Sequence, residues 1–213
     1  MIIPGILEQT LKDYEEKIRI LDKKCELIQI DIVDGILTEG KSFLDTEKIT
    51  QISHKTPFEI HLMVQNPLKV IPFNKGRING VNKICTQVTT ETSKLIFSLK
   101  KLGYKTGLSL NINEEIDLIK DLINSIDYVQ FMSVTPGNQG NPFYSPVLDK
   151  IKKFKTNYPN VETQIDGGIN DQNFNDVIKS GVDNIVIGSA IFNSQDPVLK
   201  LRDFQKLFNA ISA

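Results

Sequence analysis

Short apolar runs alternate with stretches of helical period along this whole sequence, and that alternation constrains the fold more than any other feature. Strands are expected near Ile2–Ile6, Leu27–Ile32, Phe58–Met63, Lys83–Gln87, Thr106–Leu110, Tyr128–Met132, Val161–Ile165 and Asn184–Ile187. Helices are expected over Leu11–Lys24, Thr90–Leu102, Glu114–Asn124, Asn170–Lys179 and Asp196–Ile211. Gly103 and Gly181 read as helix stops, and Asn113 and Asn170 as N-caps. Strands followed in turn by helices give a (β/α)8 TIM barrel, an α/β fold whose lower size limit is roughly 200 residues. A single domain over residues 1–213 is expected. The competing layout is an open, doubly wound sheet. It wants a glycine-rich turn after the first strand, where this chain has Leu7-Glu8-Gln9-Thr10.

Composition narrows the function. The 25 basic and 26 acidic residues leave a net charge of −1, with no footprint for nucleic acid or an anionic membrane. No apolar run is long enough to span a bilayer. The first residues, MIIPGILEQTLKDYEE, lack the basic start of a secretory signal. Cys25 and Cys85 lie far apart without a CxxC context and read as reduced thiols, which points to the cytoplasm. A homo-oligomer is left open.

Chemistry in such a barrel sits at the C-terminal ends of the strands. Alternation puts Gln29, Asp31 and Val33 on one face of the second strand and Ile28, Ile30 and Ile32 on the other. An unpaired buried carboxylate is expensive, so Asp31 calls for compensation. Asp166 ends strand seven, roughly opposite Asp31 across the mouth. Two acids on opposite sides of a bound sugar can invert a carbon next to a carbonyl, one taking the proton and the other returning it. A metal between them would stabilise enediolate oxygens. His61, at the end of strand three, adds an imidazole that suits a divalent metal. Asp34, beside Gly35, fits a loop-fixing role, and His54 reads as surface. Met63 and Met132 are either apolar lining for a planar intermediate or core packing.

Three glycine-bearing segments follow adjacent strands: the loop holding Gly137, Asn138, Gln139 and Gly140, the pair Gly167 and Gly168, and Gly188 with Ser189. Any one reads as a tight turn. Three together, at these strand ends, point to a phosphate held by backbone N–H groups.

The pieces P4-G-I-L7, D31-I-V-D-G35, H61-L-M63, G107-L-S-L-N111, M132-S-V-T-P-G137, D166-G-G-I169 and G188-S-A-I-F192, in this order, resemble the ribulose-phosphate 3-epimerase family. The resemblance runs the length of the chain. It implies an isomerase of the pentose phosphate pathway that interconverts D-ribulose 5-phosphate and D-xylulose 5-phosphate. It implies Asp31 and Asp166 as catalytic acid/base groups, and a divalent metal (zinc, manganese, iron or magnesium) on Asp31, His61 and Asp166. His61 and the glycine segments would touch the substrate and its phosphate. Gln29 stands where the family usually has a ligating His, Gly5 where it has a Ser, and Cys85-Thr86-Gln87 where it has His-x-Glu. Gln29 is therefore either a weak metal ligand or an orienter of Asp31. The alternatives are a 3-epimerase of another phosphorylated ketose, such as a hexulose 6-phosphate, and a non-catalytic phosphosugar-binding barrel.

Overall fold

A computed structural model describes residues 1–71, 76–136 and 141–212. Eight parallel strands close into a barrel in chain order. They are β1 (Ile2–Ile6), β2 (Ile28–Val33), β3 (Phe58–Met63), β4 (Val81–Gln87), β5 (Lys105–Leu110), β6 (Tyr128–Met132), β7 (Glu162–Asp166) and β8 (Asn184–Ile187). The strands match the expected runs to within two residues at each end. Between or after them lie α1 (Leu11–Leu21), α2 (Thr46–Gln51), α3 (Pro67–Val70), α4 (Thr92–Lys101), α5 (Val147–Asn157), α6 (Phe174–Lys179), α7 (Ser189–Phe192) and α8 (Pro197–Ser212).

Local chemistry explains the elements. Thr10 caps α1 by accepting from the Asp13 N–H at 3.2 Å. The helix then buries Tyr14, Ile18 and Leu21, a stripe at i, i+4 and i+7. In α5, Val147, Ile151 and Phe154 repeat that spacing, a helix absent from the expected set. The helix expected over Glu114–Asn124 is present as a 3-10 helix over Ile116–Ser125. Its buried Ile116, Ile119 and Ile123 stand three and four apart, a spacing that both helix types satisfy. Asn170 does not cap α6 itself. Its side chain accepts from the Gln172 N–H and its carbonyl from the Phe174 N–H, making a turn before the helix starts.

Strand alternation sorts the side chains into two layers. Ile28, Ile30, Ile32, Ile60, Leu62 and Phe131 point outward and join the main apolar core beneath the helices. The opposite parity fills the barrel with Gln29, Asp31, Glu59, His61, Gln130 and Gln164. Lower down, Tyr128 is fully buried, with the Lys83 ammonium 4.5 Å from its ring centre. The ring enters because position 107 is glycine: a Cβ there would come within 2.3 Å of it. Ile3, Leu27 and Val186 form a separate small apolar cluster.

Candidate active site

The mouth of the barrel is built from strand ends. Pairing sets Asp31 beside His61 and Met132 beside Asp166. Each end is braced. The Tyr14 hydroxyl donates to the Asp31 carbonyl at 2.8 Å, tying α1 to β2. The Ser133 N–H and hydroxyl both donate to the Asp166 carbonyl, and the hydroxyl also reaches the Gly167 carbonyl at 2.6 Å. Asp34 fixes its own loop by accepting from the Ile36, Leu37 and Gln65 N–H groups. His54 stacks on Phe58 on the far side of the molecule from this cluster, in the segment before β3.

Asp31, His61 and Asp166 offer ligand atoms that lie within 4.8 Å of one another. His61 Nδ1 is 3.1 Å from Asp31 Oδ1 and 3.5 Å from Asp166 Oδ2. Burial pushes the Asp31 carboxyl up to about 6, and the charge of Asp166 adds to the rise while bonds from His61 and Gln29 oppose it. Burial alone would pull His61 down, but hydrogen bonds and attraction from Asp166 and Asp31 win and hold it up to about 9. The trio therefore keeps a proton near neutral pH, one that a cation bound there would have to displace from the imidazole.

Below the trio lies a layer of amides. Gln29 Nε2 donates to Asp31 Oδ1 at 2.9 Å and to Asp166 Oδ2 at 2.8 Å. Gln130 Nε2 lies 3.1 Å from Asp166 Oδ2 and 3.1 Å from His61 Nδ1. Gln164 Nε2 faces Gln29 Oε1, Gln130 Oε1 and Glu59 Oε1 at 2.8–3.0 Å. The Tyr128 hydroxyl donates to the same Glu59 oxygen at 2.9 Å. The sequence motifs do not single out Glu59, Gln130 or Gln164. The available signal is parity: Gln130 stands two before Met132, and Gln164 two before Asp166, as Gln29 stands two before Asp31.

A pocket opens above these groups. Of the expected residues, Asp31, Asp166, Met63, Met132, Gly168, Gly188 and Ser189 line it, while His61 and Gln29 lie beneath. Gly167 precedes Gly168 in the same turn, with φ of 117° and 64°, and a Cβ at Gly167 would meet Val134 at 2.4 Å. Gly5, Leu7, Val134, Pro136 and Ile169, from the same motif pieces, line it as well, together with Asn141. Gly137, Asn138, Gln139 and Gly140 lie outside the described residues. Among those described, no helix is long and apolar enough to cross a membrane.

Residues 1–192 match the Ribulose-phosphate 3 epimerase family. The chain is 29% identical over 219 residues to a ribulose-phosphate 3-epimerase of Helicobacter pylori, with 99% of each chain covered. It is 26% identical over 203 residues to one of Bacillus subtilis, covering 92% of this chain and 93% of that one. Among solved structures, KGPDC from Streptococcus mutans aligns with a TM-score of 0.75 at 12% identity, covering 100% of this chain and 98% of that one. A 3-hexulose-6-phosphate synthase aligns at 0.69 and 11%, covering 97% and 99%. At such identities these two structures speak for the barrel fold alone.

Proposed function

This chain belongs to the ribulose-phosphate 3-epimerase family and is an isomerase, and from that premise we propose that it interconverts D-ribulose 5-phosphate and D-xylulose 5-phosphate by proton transfer between two acids. The observation that carries the reading is the convergence of Asp31, His61 and Asp166 at the mouth of the barrel. One carboxylate takes the proton from C3, and the other delivers a proton to the opposite face of the planar enediolate. Asp31, held near 6, sits closer to neutral pH than an exposed aspartate, which suits a group that takes and returns a proton. Met63 and Met132, each 3% exposed, offer apolar surface against that intermediate. Backbone N–H groups at Gly167, Gly168, Gly188 and Ser189 bind the phosphate.

Two carboxylates and an imidazole in one buried cluster fit a divalent cation. Asp31, His61 and Asp166 would hold it, and when bound it would stabilise negative charge on the oxygens of the substrate. The ligand chemistry accommodates zinc, manganese, iron or magnesium.

The test is solvent exchange. Protein stripped of metal, then resupplied with each cation in turn, is incubated with ribulose 5-phosphate in D2O, and NMR follows deuterium at C3. Cation-dependent incorporation is expected. No incorporation with any cation, by protein shown to be folded, would overturn the reading. Incorporation into a hexulose 6-phosphate instead would reassign the substrate.

A further inference from the structure

The amide layer under the two acids has a direction. A glutamine amide has a donor end and an acceptor end, and the hydrogen-bond network assigns which way each one points. The assignment starts at Glu59, a fully buried carboxylate on β3. Its Oε1 accepts from the Tyr128 hydroxyl and from Gln164, so the Gln164 group that faces it is the NH2. The same NH2 faces Oε1 of Gln29 at 3.0 Å and Oε1 of Gln130 at 2.8 Å. Both of those oxygens therefore point down at that NH2, whose two hydrogens are shared among three acceptors, and both NH2 groups turn up toward the acids. Turning the Gln29 amide over would set NH2 against NH2 at 3.0 Å and aim its oxygen at two carboxylates. Each of those contacts is repulsive and buried, where mismatched polar groups cost most.

We infer that Gln29 is a positioning residue: its NH2 clamps Asp31 to Asp166, and Gln164, anchored on Glu59, withholds its oxygen from any cation. A cation in the trio then has three protein ligands, and it competes with the Gln29 NH2 for the two carboxylates. In metal-free protein the same neutral NH2 bridges two acids that would otherwise repel one another. The inference touches catalysis only through the reading of Asp31 and Asp166 as the two acids. Its test does not depend on that reading or on the identity of the sugar.

The test is a titration of metal-free protein with Co2+, read by calorimetry and by the visible absorption of the bound ion. Wild type, Gln29→Met, Gln164→Met and the double variant are compared, each first checked for folding by circular dichroism. Gln29→Met is expected to bind Co2+ at least as tightly as wild type, because it removes a competitor and no ligand. Gln164→Met frees the Gln29 oxygen to turn toward the ion as a fourth ligand, and a roughly ten-fold gain in affinity is expected. That gain should vanish in the double variant, a result that a merely structural role for Gln164 would not produce. A ten-fold loss of affinity in Gln29→Met, or no uptake of Co2+ by it, would overturn the inference. So would an unchanged affinity in Gln164→Met. If Gln29→Leu folds and Gln29→Met does not, Gln29→Leu takes its place under the same criteria.

Discussion

The two faces of the same strands differ more than any two domains need to. On β2 the outward residues Ile28, Ile30 and Ile32 are at most 1% exposed and join one continuous apolar core. The inward residues Gln29 and Asp31 are buried nearly as deeply, yet they belong to a polar network that crosses the barrel to β7. Interiors of such barrels are commonly packed with branched aliphatic side chains. Here β3, β6 and β7 contribute Glu59, His61, Gln130 and Gln164 to the interior instead. The outer face gains stability from burial, at about 25 cal/mol per Å². The inner face must satisfy each polar atom with another, and among the described residues only Glu59 Oε2, Ser109 Oγ and Gln164 Oε1 lack a partner. An apolar layer and a polar one are thus divided by parity, one residue apart.

Substitutions on the two faces should separate stability from chemistry. The largest effect is expected for Asp31→Asn and Asp166→Asn, each lowering C3 exchange by roughly 10⁴-fold, about 5 kcal/mol of activation energy. Thermal melting should show the fold intact, and near-full exchange by either variant would end the two-acid mechanism. On the outer side, Phe154→Ala removes a fully buried ring that packs edge-on against Phe131 with centroids 5.4 Å apart. A loss of about 4 kcal/mol in denaturant unfolding is expected, with exchange per folded molecule little changed. A drop in exchange matching that of Asp31→Asn would erase the division between the faces.

The smallest effect concerns pH. Burial raises the Glu59 carboxyl to about 6, against an opposing pull from Lys83. Between its unfolded value of 4.5 and about 6 the folded protein binds more protons than the unfolded chain, so stability falls as pH rises through that window. For Glu59 the decline is about 2 kcal/mol. Asp31, raised from 3.8 to about 6, steepens the fall. Glu59→Gln should remove the Glu59 share, so its unfolding free energy should fall less from pH 4.5 to 6 than that of wild type. Parallel curves for the two proteins would mean that Glu59 ionises in the fold as it does in water.

The outer face is the more legible one. Short apolar runs of four to seven residues mark the strands, and the fold follows from their repetition. Asp31, His61 and Asp166 also stand out, as ionisable side chains at the ends of such runs. The supporting layer does not, because its logic is carried by cross-barrel distance rather than by neighbours in the chain. Gln164 and Gln29 are 135 residues apart and meet only after closure and register are set. The direction of the Gln29 amide depends in turn on Glu59, on a third strand, so no local pattern encodes it. Helix type is hidden for a different reason, since the spacing of Ile116, Ile119 and Ile123 serves an α-helix and a 3-10 helix alike.

The packing of Tyr128 into the space left by Gly107 carries a historical consequence. A methyl group at position 107 would press within 2.3 Å of the ring, so alanine cannot arise there while the tyrosine stays. Losing the tyrosine first takes a donor from Glu59 and opens a hole beneath the amide layer. The two positions therefore admit change in one order only, and the first step of that order is the costly one. A lineage that holds this pair has little room to wander at either site, and the alignment of the amides above is inherited along with it.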